Sequence, residues 1–530
     1  MLPTVVIADK LPEDIYGSLL DEAGISFADG TRGDLEALLA DNCKGLIVRS
    51  KPQVTAELLS KAPYLLIIGR AGTGTDNIDL EAATARGIIV ENTPSANTES
   101  AADHAMALIY ALSRNILGAD ASVKRGEWER NRYLGTELSG KNLGIIGFGR
   151  VGRGVAVRGK SAGMNVLECD PFVDPKVAEE LGCRTVGLDE LLRASDYVSL
   201  HSSLSDENAG MIGKAEFEKM KPAARLINVA RGELVDHDAL YEVLVSRKIA
   251  GAALDTYDEE PYRGKLTELG DLVILTPHLG ASTVEAQRRV AEQVTRQIIS
   301  YIKEGRIENA VNVSIVAPEV KPFASLVERM GYAAGKLAQG PINSVELTCY
   351  GELAEVNVRG ISTYGLVGLL TEKVNLVNIV NAREIAEGRG IEVSEGTSSA
   401  EVDYRSMVCL RVSQTNGEQI ILNGMLYEKR GPRIVGFNGY DIEFKPEGTI
   451  LVTYHEDKLG IVGYIGTTLA KHGINIDTTS LSNEAIEGRK VAVFRINPPA
   501  SEDALAEIAN KKIGIYDVRQ ITLAPPTSLL

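Results

Sequence analysis

Three segments carry residue types suited to moving a proton and gripping a carboxylate. Leu226-Ile227-Asn228-Val229-Ala230-Arg231-Gly232-Glu233-Leu234-Val235-Asp236 runs from an apolar stretch into Arg231. Ala253-Leu254-Asp255-Thr256-Tyr257-Asp258-Glu259-Glu260-Pro261 runs into acids, and Leu275-Thr276-Pro277-His278-Leu279-Gly280-Ala281-Ser282-Thr283 supplies a histidine. In doubly wound folds ligands sit at the carboxyl ends of strands, where all three charges fall. A histidine there can take an alcohol proton. A carboxylate can orient and charge it, and a guanidinium can hold carboxylate and carbonyl oxygens. That division of labour suits hydride transfer on a small hydroxy acid. Glu260 is the carboxylate expected to serve, with Glu259 as its rival. The other histidines read as ordinary: His104 is structural in a helix, and His201 follows a strand near the expected nicotinamide ribose. His237, His455 and His472 lack catalytic neighbours.

A second constellation binds rather than reacts. Leu143-Gly144-Ile145-Ile146 leads into Gly147-Phe148-Gly149-Arg150-Val151-Gly152, a GxGxxG between an apolar strand and a helix. Gly147 allows the tight turn, Gly149 lets backbone approach a pyrophosphate, and Gly152 lets the helix pack on the strand. The helix N-terminus offers free N–H groups to the phosphates. A second strand, 165–169, ends in Asp170, 18 residues after Gly152. Its carboxylate can accept both ribose hydroxyls and would repel a 2′-phosphate, which selects NAD over NADP. With His201, Ala230 and Asp255 at later strand ends, these residues make up the expected cofactor surface.

Two loops nearer the start are basic. Val48-Arg49-Ser50-Lys51 follows one candidate strand and Gly69-Arg70-Ala71-Gly72-Thr73-Gly74-Thr75-Asp76-Asn77 the next. The glycines let N–H groups face an anion. Arg49, Lys51 and Arg70 exceed what one carboxylate needs and point to a second, doubly charged group such as phosphate.

Elements must hold these residues in place. Apolar runs at 5–8, 46–48, 65–68 and 87–90 alternate with helical patterns, as do runs at 143–146, 164–169, 196–200, 225–229, 250–254 and 272–275. Such alternation predicts parallel sheets covered by helices. The fingerprint starts only at 147, so one α/β lobe precedes the cofactor lobe. A helix at about 283–304 is placed to return to it, leaving a cleft. The segment 305–322, with Pro318 and Pro322, reads as a linker. Beyond it come a helix at 324–339, strands near 343–350 and 407–413, and a hairpin turning at Thr415-Asn416-Gly417. From 448 the order is βαββαβ, as in ferredoxin-like domains, and the closing PPTSLL reads as a frayed tail. At ~150 residues per domain, 530 residues suggest three or four domains. No apolar run approaches the ~20 residues that cross a bilayer. Net charge is −16, which disfavours nucleic acid and anionic membrane as partners. Five cysteines without a CxxC pair argue against a disulfide framework or thiolate zinc site and for the cytoplasm; no metal is expected.

INVARGELVD, DEEP and TPHLGAST resemble the three catalytic signatures of the D-isomer-specific 2-hydroxyacid dehydrogenase family. The resemblance implies that Arg231 holds substrate carboxylate and carbonyl, that Glu260 favours protonation of the histidine, and that His278 is the acid/base. The basic loops, Asn92–Asn97 (NTPSAN) and Trp128–Leu138 resemble the branch that oxidises 3-phospho-D-glycerate to 3-phosphooxypyruvate with NAD at the start of serine synthesis. That implies a substrate set of Arg49, Ser50, Lys51, Arg70, Gly72 and Asn97, with Arg130 reaching a neighbouring subunit's site. The implied fold is α/β: a Rossmann NAD lobe (98–283) inserted in a flavodoxin-like substrate lobe (1–97 and 284–310), both doubly wound. An α+β intervening domain (318–446) and a ferredoxin-like ACT domain (448–530) follow. The ACT resemblance, despite Leu459 where Pro is usual, implies L-serine as effector at His455, Asp457 and Asn475. Those three are expected near the end of the domain's first strand and the start of its second, completed by a second copy in a homo-oligomer, a tetramer. Hydroxypyruvate or glyoxylate reductase, and an NAD-sensing interaction protein on the same lobes, are the alternatives.

Overall fold

Short β-branched runs separated by glycine turns build the first sheet: β1 (Thr4–Ile7), β2 (Ser26–Asp29), β3 (Cys43–Val48), β4 (Ile67–Arg70) and β5 (Ile89–Asn92), all parallel, in the order β2-β1-β3-β4-β5. This is the flavodoxin-like order. The computed structural model describes residues 4–314, 316–374, 377–427 and 429–523, so the PPTSLL tail lies outside them. The polar edge strand Ser26–Asp29 has no apolar run and gave no sequence signal.

The second sheet holds β6 (Asn142–Ile146), β7 (Asn165–Cys169), β8 (Arg184–Thr185), β9 (Tyr197–Leu200), β10 (Arg225–Asn228), β11 (Gly251–Leu254) and β12 (Val273–Leu275). They run parallel in the order β12-β11-β10-β9-β6-β7-β8, with the switch point between β6 and β9. The helix Thr98–Arg114 packs on this sheet through Ala105, Leu108 and Ile109. The helix Val284–Glu304 goes back to the first sheet, burying Val290, Val294 and Ile298 against Val5, Ile47 and Ile67. Gly45 is required there: a Cβ on it would lie 3.0 Å from Ile298 Cγ2. The cofactor-type lobe is thus inserted between two pieces of the first.

The expected linker is a packed element instead. Glu91 on β5 is fully buried and its Oε1 accepts from the Glu308 N–H at 2.8 Å. Burial pushes that carboxyl up to about 7. Asn312 donates to the Ile88 carbonyl and accepts from the Val90 N–H, while Val316 and Val320 enter the next core. Pro322 falls in the first turn of the helix Lys321–Leu337, and the backbone ahead of the prolines finds partners along β5 and so lies down on the lobe.

The third sheet is mixed: β13 (Ile342–Gly351), β14 (Glu392–Ser398), β15 (Ser406–Gln414), β16 (Gln419–Tyr427), β17 (Gly431–Phe437) and β18 (Tyr440–Phe444), in the order β14-β13-β15-β16-β17-β18. Helices Lys321–Leu337 and Ile361–Leu370 cross where Gly331 and Gly368 let backbones touch. The fourth sheet holds β19 (Gly448–Glu456), β20 (Asn475–Leu481), β21 (Arg489–Asn497) and β22 (Ile515–Leu523), ordered β20-β21-β19-β22. That is the ferredoxin-like order. One face carries helices Ile461–Lys471 and Glu502–Ile508. The other, through Ile450, Val452, Val491 and Val493, shares a single core with the third sheet. Among the described residues no helix is long and apolar enough to cross a membrane.

Candidate active site

Asn228, buried at the end of β10, sets the first functional turn. Its amide donates to the Arg231 carbonyl at 2.7 Å and its oxygen accepts from the Ala230 N–H at 3.0 Å. Arg231 then reaches across the cleft, with Nη2 3.4 Å from Asp76 Oδ2 on the loop after β4. Arg70, at the end of β4, is held down to about 10, first by burial and then by the neighbouring Arg231 and Arg49. Arg70 of one lobe therefore has Arg231 of the other nearby, together with Arg49 and Asp76. Gly74 lies against the Arg231 guanidinium, and any side chain on it would collide.

His278 lies three residues beyond β12. Both oxygens of Glu260 lie 3.0 Å from its Nδ1, which leaves Nε2 for a substrate hydroxyl. Glu259 makes no such contact: its N–H caps Asp258, so the geometry selects Glu260. His278 has φ of 54°, a left-handed conformation uncommon outside glycine and held only where surroundings enforce it. The enforcer is Asp255. It is wholly buried and accepts from the Leu279 and Gly280 N–H groups at 2.8 Å each, the Thr276 hydroxyl at 2.6 Å and His104 Nε2 at 3.1 Å. Burial alone would raise its carboxyl, but the bonds from His104, Thr276 and Leu279 hold it below the usual carboxylate range. Asp255, expected at the cofactor surface, also holds the His278 loop by accepting from two of its N–H groups. His104 is part of the same support.

Replacing Glu260 removes the negative charge that favours the imidazolium. Glu260→Gln is therefore expected to keep activity but move the acid limb of the pH–rate profile to lower pH. A profile that stays in place would count against the pairing.

The three fingerprint glycines divide the work by space. Gly147 has φ of 91° and sits against the His201–Ser202 backbone; Gly152 meets the Gly147 carbonyl. Gly149 has nothing within 4 Å of where a Cβ would stand, so its backbone is open to a ligand. Arg150 begins the helix Arg150–Ser161 and is exposed, Val151 is half-buried, and Phe148 is fully buried. The Phe148 N–H donates to Asp170 Oδ2 at 2.8 Å and the Phe172 N–H to Oδ1 at 2.9 Å, which fixes the acid beside the glycine loop. His201 Nε2 lies 2.8 Å from Ser199 Oγ; burial pushes its imidazole down to about 3, so it is neutral. Bare backbone at Gly149, a helix N-terminus and a fixed acid fit a dinucleotide. No arginine follows Asp170: the next residues are Pro171-Phe172-Val173-Asp174. A 2′-phosphate would meet uncompensated repulsion, so Asp170→Ala is expected to narrow the preference for NAD over NADP in kcat/KM. Equal kcat/KM for both cofactors in the unaltered protein would refute this.

Asp9, at the end of β1, organises the other basic loop. Its Oδ2 accepts from the Ser50 and Lys51 N–H groups at 2.9 and 3.1 Å. Arg49 is half-buried while the Ser50 and Lys51 side chains are exposed. Gly72 has φ of 147° and lies under the Arg70 guanidinium, and the Thr73 hydroxyl donates to Asn97 Oδ1 at 3.2 Å. Arg130 is exposed on the short helix Arg130–Tyr133, on an arm bearing exposed Trp128 and Leu134.

The effector residues do not meet within one chain. Glu456 pairs with Arg489 at one end of β21, while Asn475 pairs with Asn497 at the other, roughly 26 Å away at 3.3 Å per residue. β19 and β20 are parallel, so the crossover helix carries the start of β20 back to where β19 began. The end of one and the start of the next lie at opposite edges. His455 is buried, with Nδ1 3.4 Å from Thr453 Oγ1, whereas Asp457 and Asn475 are exposed.

Known proteins place this arrangement. The family model described as "D-isomer specific 2-hydroxyacid dehydrogenase, NAD binding domain" matches residues 106–280, and the D-3-phosphoglycerate dehydrogenase intervening domain matches 319–438. The chain is 38% identical over 530 residues to the D-3-phosphoglycerate dehydrogenase of Archaeoglobus fulgidus, covering 98% of this chain and 100% of that one. It is 38% identical over 528 residues to that of Methanocaldococcus jannaschii, covering 98% and 99%. Among solved structures, D-lactate dehydrogenase from Aquifex aeolicus, complexed with NAD and lactic acid, superposes with a TM-score of 0.53 at 31% identity over 58% of this chain and 98% of that one.

Proposed function

This chain belongs to the D-3-phosphoglycerate dehydrogenases, NAD-dependent oxidoreductases of the D-isomer specific 2-hydroxyacid dehydrogenase family, and from that premise we propose that it oxidises 3-phospho-D-glycerate to 3-phosphooxypyruvate. The observation that carries the substrate is the buried Arg70 with Arg231 and Arg49 both near enough to bear on its charge, Arg231 itself reaching Asp76 of the other lobe. A 2-hydroxy acid with one carboxylate needs only Arg231. A second anionic group uses the rest, and burial of the Arg70 guanidinium strengthens that contact by lowering the local dielectric. In this reading Arg231 holds the carboxylate and carbonyl oxygens, and the phosphate lies toward Arg49, Lys51 and Arg70. His278 Nε2 takes the proton of the C2 hydroxyl, and Glu260 stabilises the imidazolium that results. The bare backbone at Gly149, the helix N-terminus behind it and Asp170 hold the dinucleotide, which when bound accepts the hydride from C2. The test is NADH appearance with 3-phosphoglycerate against glycerate and glycolate. Turnover of either unphosphorylated acid with equal kcat/KM would overturn the substrate assignment.

Serine synthesis follows from that product as the pathway, and the cytoplasm as its place. The latter is supported by five cysteines that are all free thiols. The 448–530 unit is read as an L-serine sensor completed by a second copy. Asp457 and Asn475 lie at opposite ends of one sheet, and β20 is an exposed edge strand. An isologous pair running antiparallel along that edge brings the Asn475 end of one copy to the Asp457 end of the other. L-serine is expected to lower activity by roughly 5–150-fold, the usual range for such coupling. Calorimetry with L-serine on the unaltered protein and Asn475→Ala, run beside the activity assay, checks this. No binding and no inhibition would leave the unit as an assembly module.

A further inference from the structure

We propose that His237 is a positioning residue that, through Asp258, holds Glu260 against His278. The proposal rests on the Glu260–His278 reading above and adds the element that keeps the pair in register. Neither residue touches the reacting atoms, and the sequence offered no partner for His237.

The loop carrying Arg231 and the loop carrying Glu260 follow adjacent strands, β10 and β11. Strand pairing fixes only their starts; 29 residues separate Arg231 from Glu260 along the chain. The structure ties them at three points. Gly232 sits so close to the Tyr257–Asp258 backbone that any Cβ would collide with it. His237, first residue of the helix His237–Val245, donates from Nδ1 to Asp258 Oδ1 at 3.0 Å. Its ring also meets the edge of Tyr262 at 5.7 Å, and Tyr262 stacks on Tyr257 at 4.6 Å. The His237 side chain is nearly buried and Nε2 has no partner, so Asp258 is its one hydrogen bond among the described residues.

Asp258 converts that anchor into a loop shape. The same Oδ1 accepts from the Glu259 N–H at 3.1 Å, which turns the chain toward Glu260. Glu260 Oε1 in turn accepts from the Tyr257 N–H at 3.3 Å, and the Tyr257 hydroxyl donates to the Thr276 carbonyl at 3.0 Å, two residues before His278. A chain of contacts thus runs His237, Asp258, Tyr257, Glu260, His278, crossing three loops. Asp258 is more than half exposed and Glu260 nearly so. Gly232 and the buried Tyr257 hold the start of that acidic loop, but His237 is the partner that fixes the Asp258 carboxylate, whose like-charged neighbours would otherwise push it away.

Alanine suits the first turn of a helix, so His237→Ala should fold. It is expected to lower kcat by roughly two- to tenfold, short of the roughly hundredfold that a displacement of about 1 Å at a reacting group can cost, because it acts only through Glu260. KM for NAD should hold, and the acid limb of the pH–rate profile should move in the same direction as in Glu260→Gln. His237→Gln, which restores a donor, should recover most of both. The double variant with Glu260→Gln should move the limb no further. Asp258→Ala, a change at an exposed side chain, should reproduce His237→Ala and serves as the second readout. A His237→Ala protein with lower thermal stability but unchanged kcat and limb would overturn the proposal while leaving Glu260 in place. A Glu260→Gln protein with an unmoved limb would remove the underlying pair, and the proposal with it.

Discussion

His278→Ala is expected to lower turnover by roughly 10²–10⁴-fold, the contribution of a positioned general base. NAD affinity should survive, because the fingerprint loop at 147–152 hangs from β6 while His278 hangs from β12, at the far edge of the same sheet. Alanine also inherits the backbone angle of 54° at this position, which it tolerates poorly. His278→Asn, a residue that accepts left-handed backbone, separates that cost from the chemistry. Both variants should lose activity alike while calorimetric NAD binding holds. Near-normal turnover in either would move the base elsewhere.

Arg231→Ala should fall almost as far, by roughly 10²–10³-fold in kcat/KM for 3-phosphoglycerate. Truncating one partner of a desolvated charge pair costs about 2–5 kcal/mol, much of it from the partner left unpaired. In the proposed substrate pose the stranded partner is the substrate carboxylate. Asp76 loses its cross-cleft contact at 3.4 Å as well. Arg231→Lys keeps the charge but loses the bidentate fork, so it should recover only part of the loss. Steady-state kinetics with both variants, alongside NAD binding, checks this. Full recovery by lysine would mean that charge alone, and not the fork, is recognised.

Local rules carried the reading of the catalytic half. The fingerprint is six consecutive residues whose glycines act through their own backbone, so Gly147, Gly149 and Gly152 could be assigned from spacing and physics. Arg231 and His278 each follow an apolar run, and a strand end is a local event. The same holds for the helix Val284–Glu304 and for the hairpin from Ser406 to Tyr427. The basic loops showed their charge directly.

What stayed hidden were supporting contacts made over long separations. Asp9 and His104 support the site through bonds to loops that only folding brings near. Asp255 was legible as the acid at a strand end, but its second task, accepting from the Leu279 and Gly280 N–H groups, is made only by the tertiary structure. Residue type alone does not separate Glu259 from Glu260; the resemblance favoured Glu260, and the direction of the loop puts that carboxylate on His278. The segment 305–322 has a linker's prolines, but its polar backbone found the edge of β5. The effector residues were joined by adjacency along the chain, whereas a crossover between parallel strands separates them by the length of a sheet. Residue type and spacing determined the chemistry available to this protein. The tertiary structure decided which groups face one another, because strand direction and burial act between residues that the chain itself holds far apart.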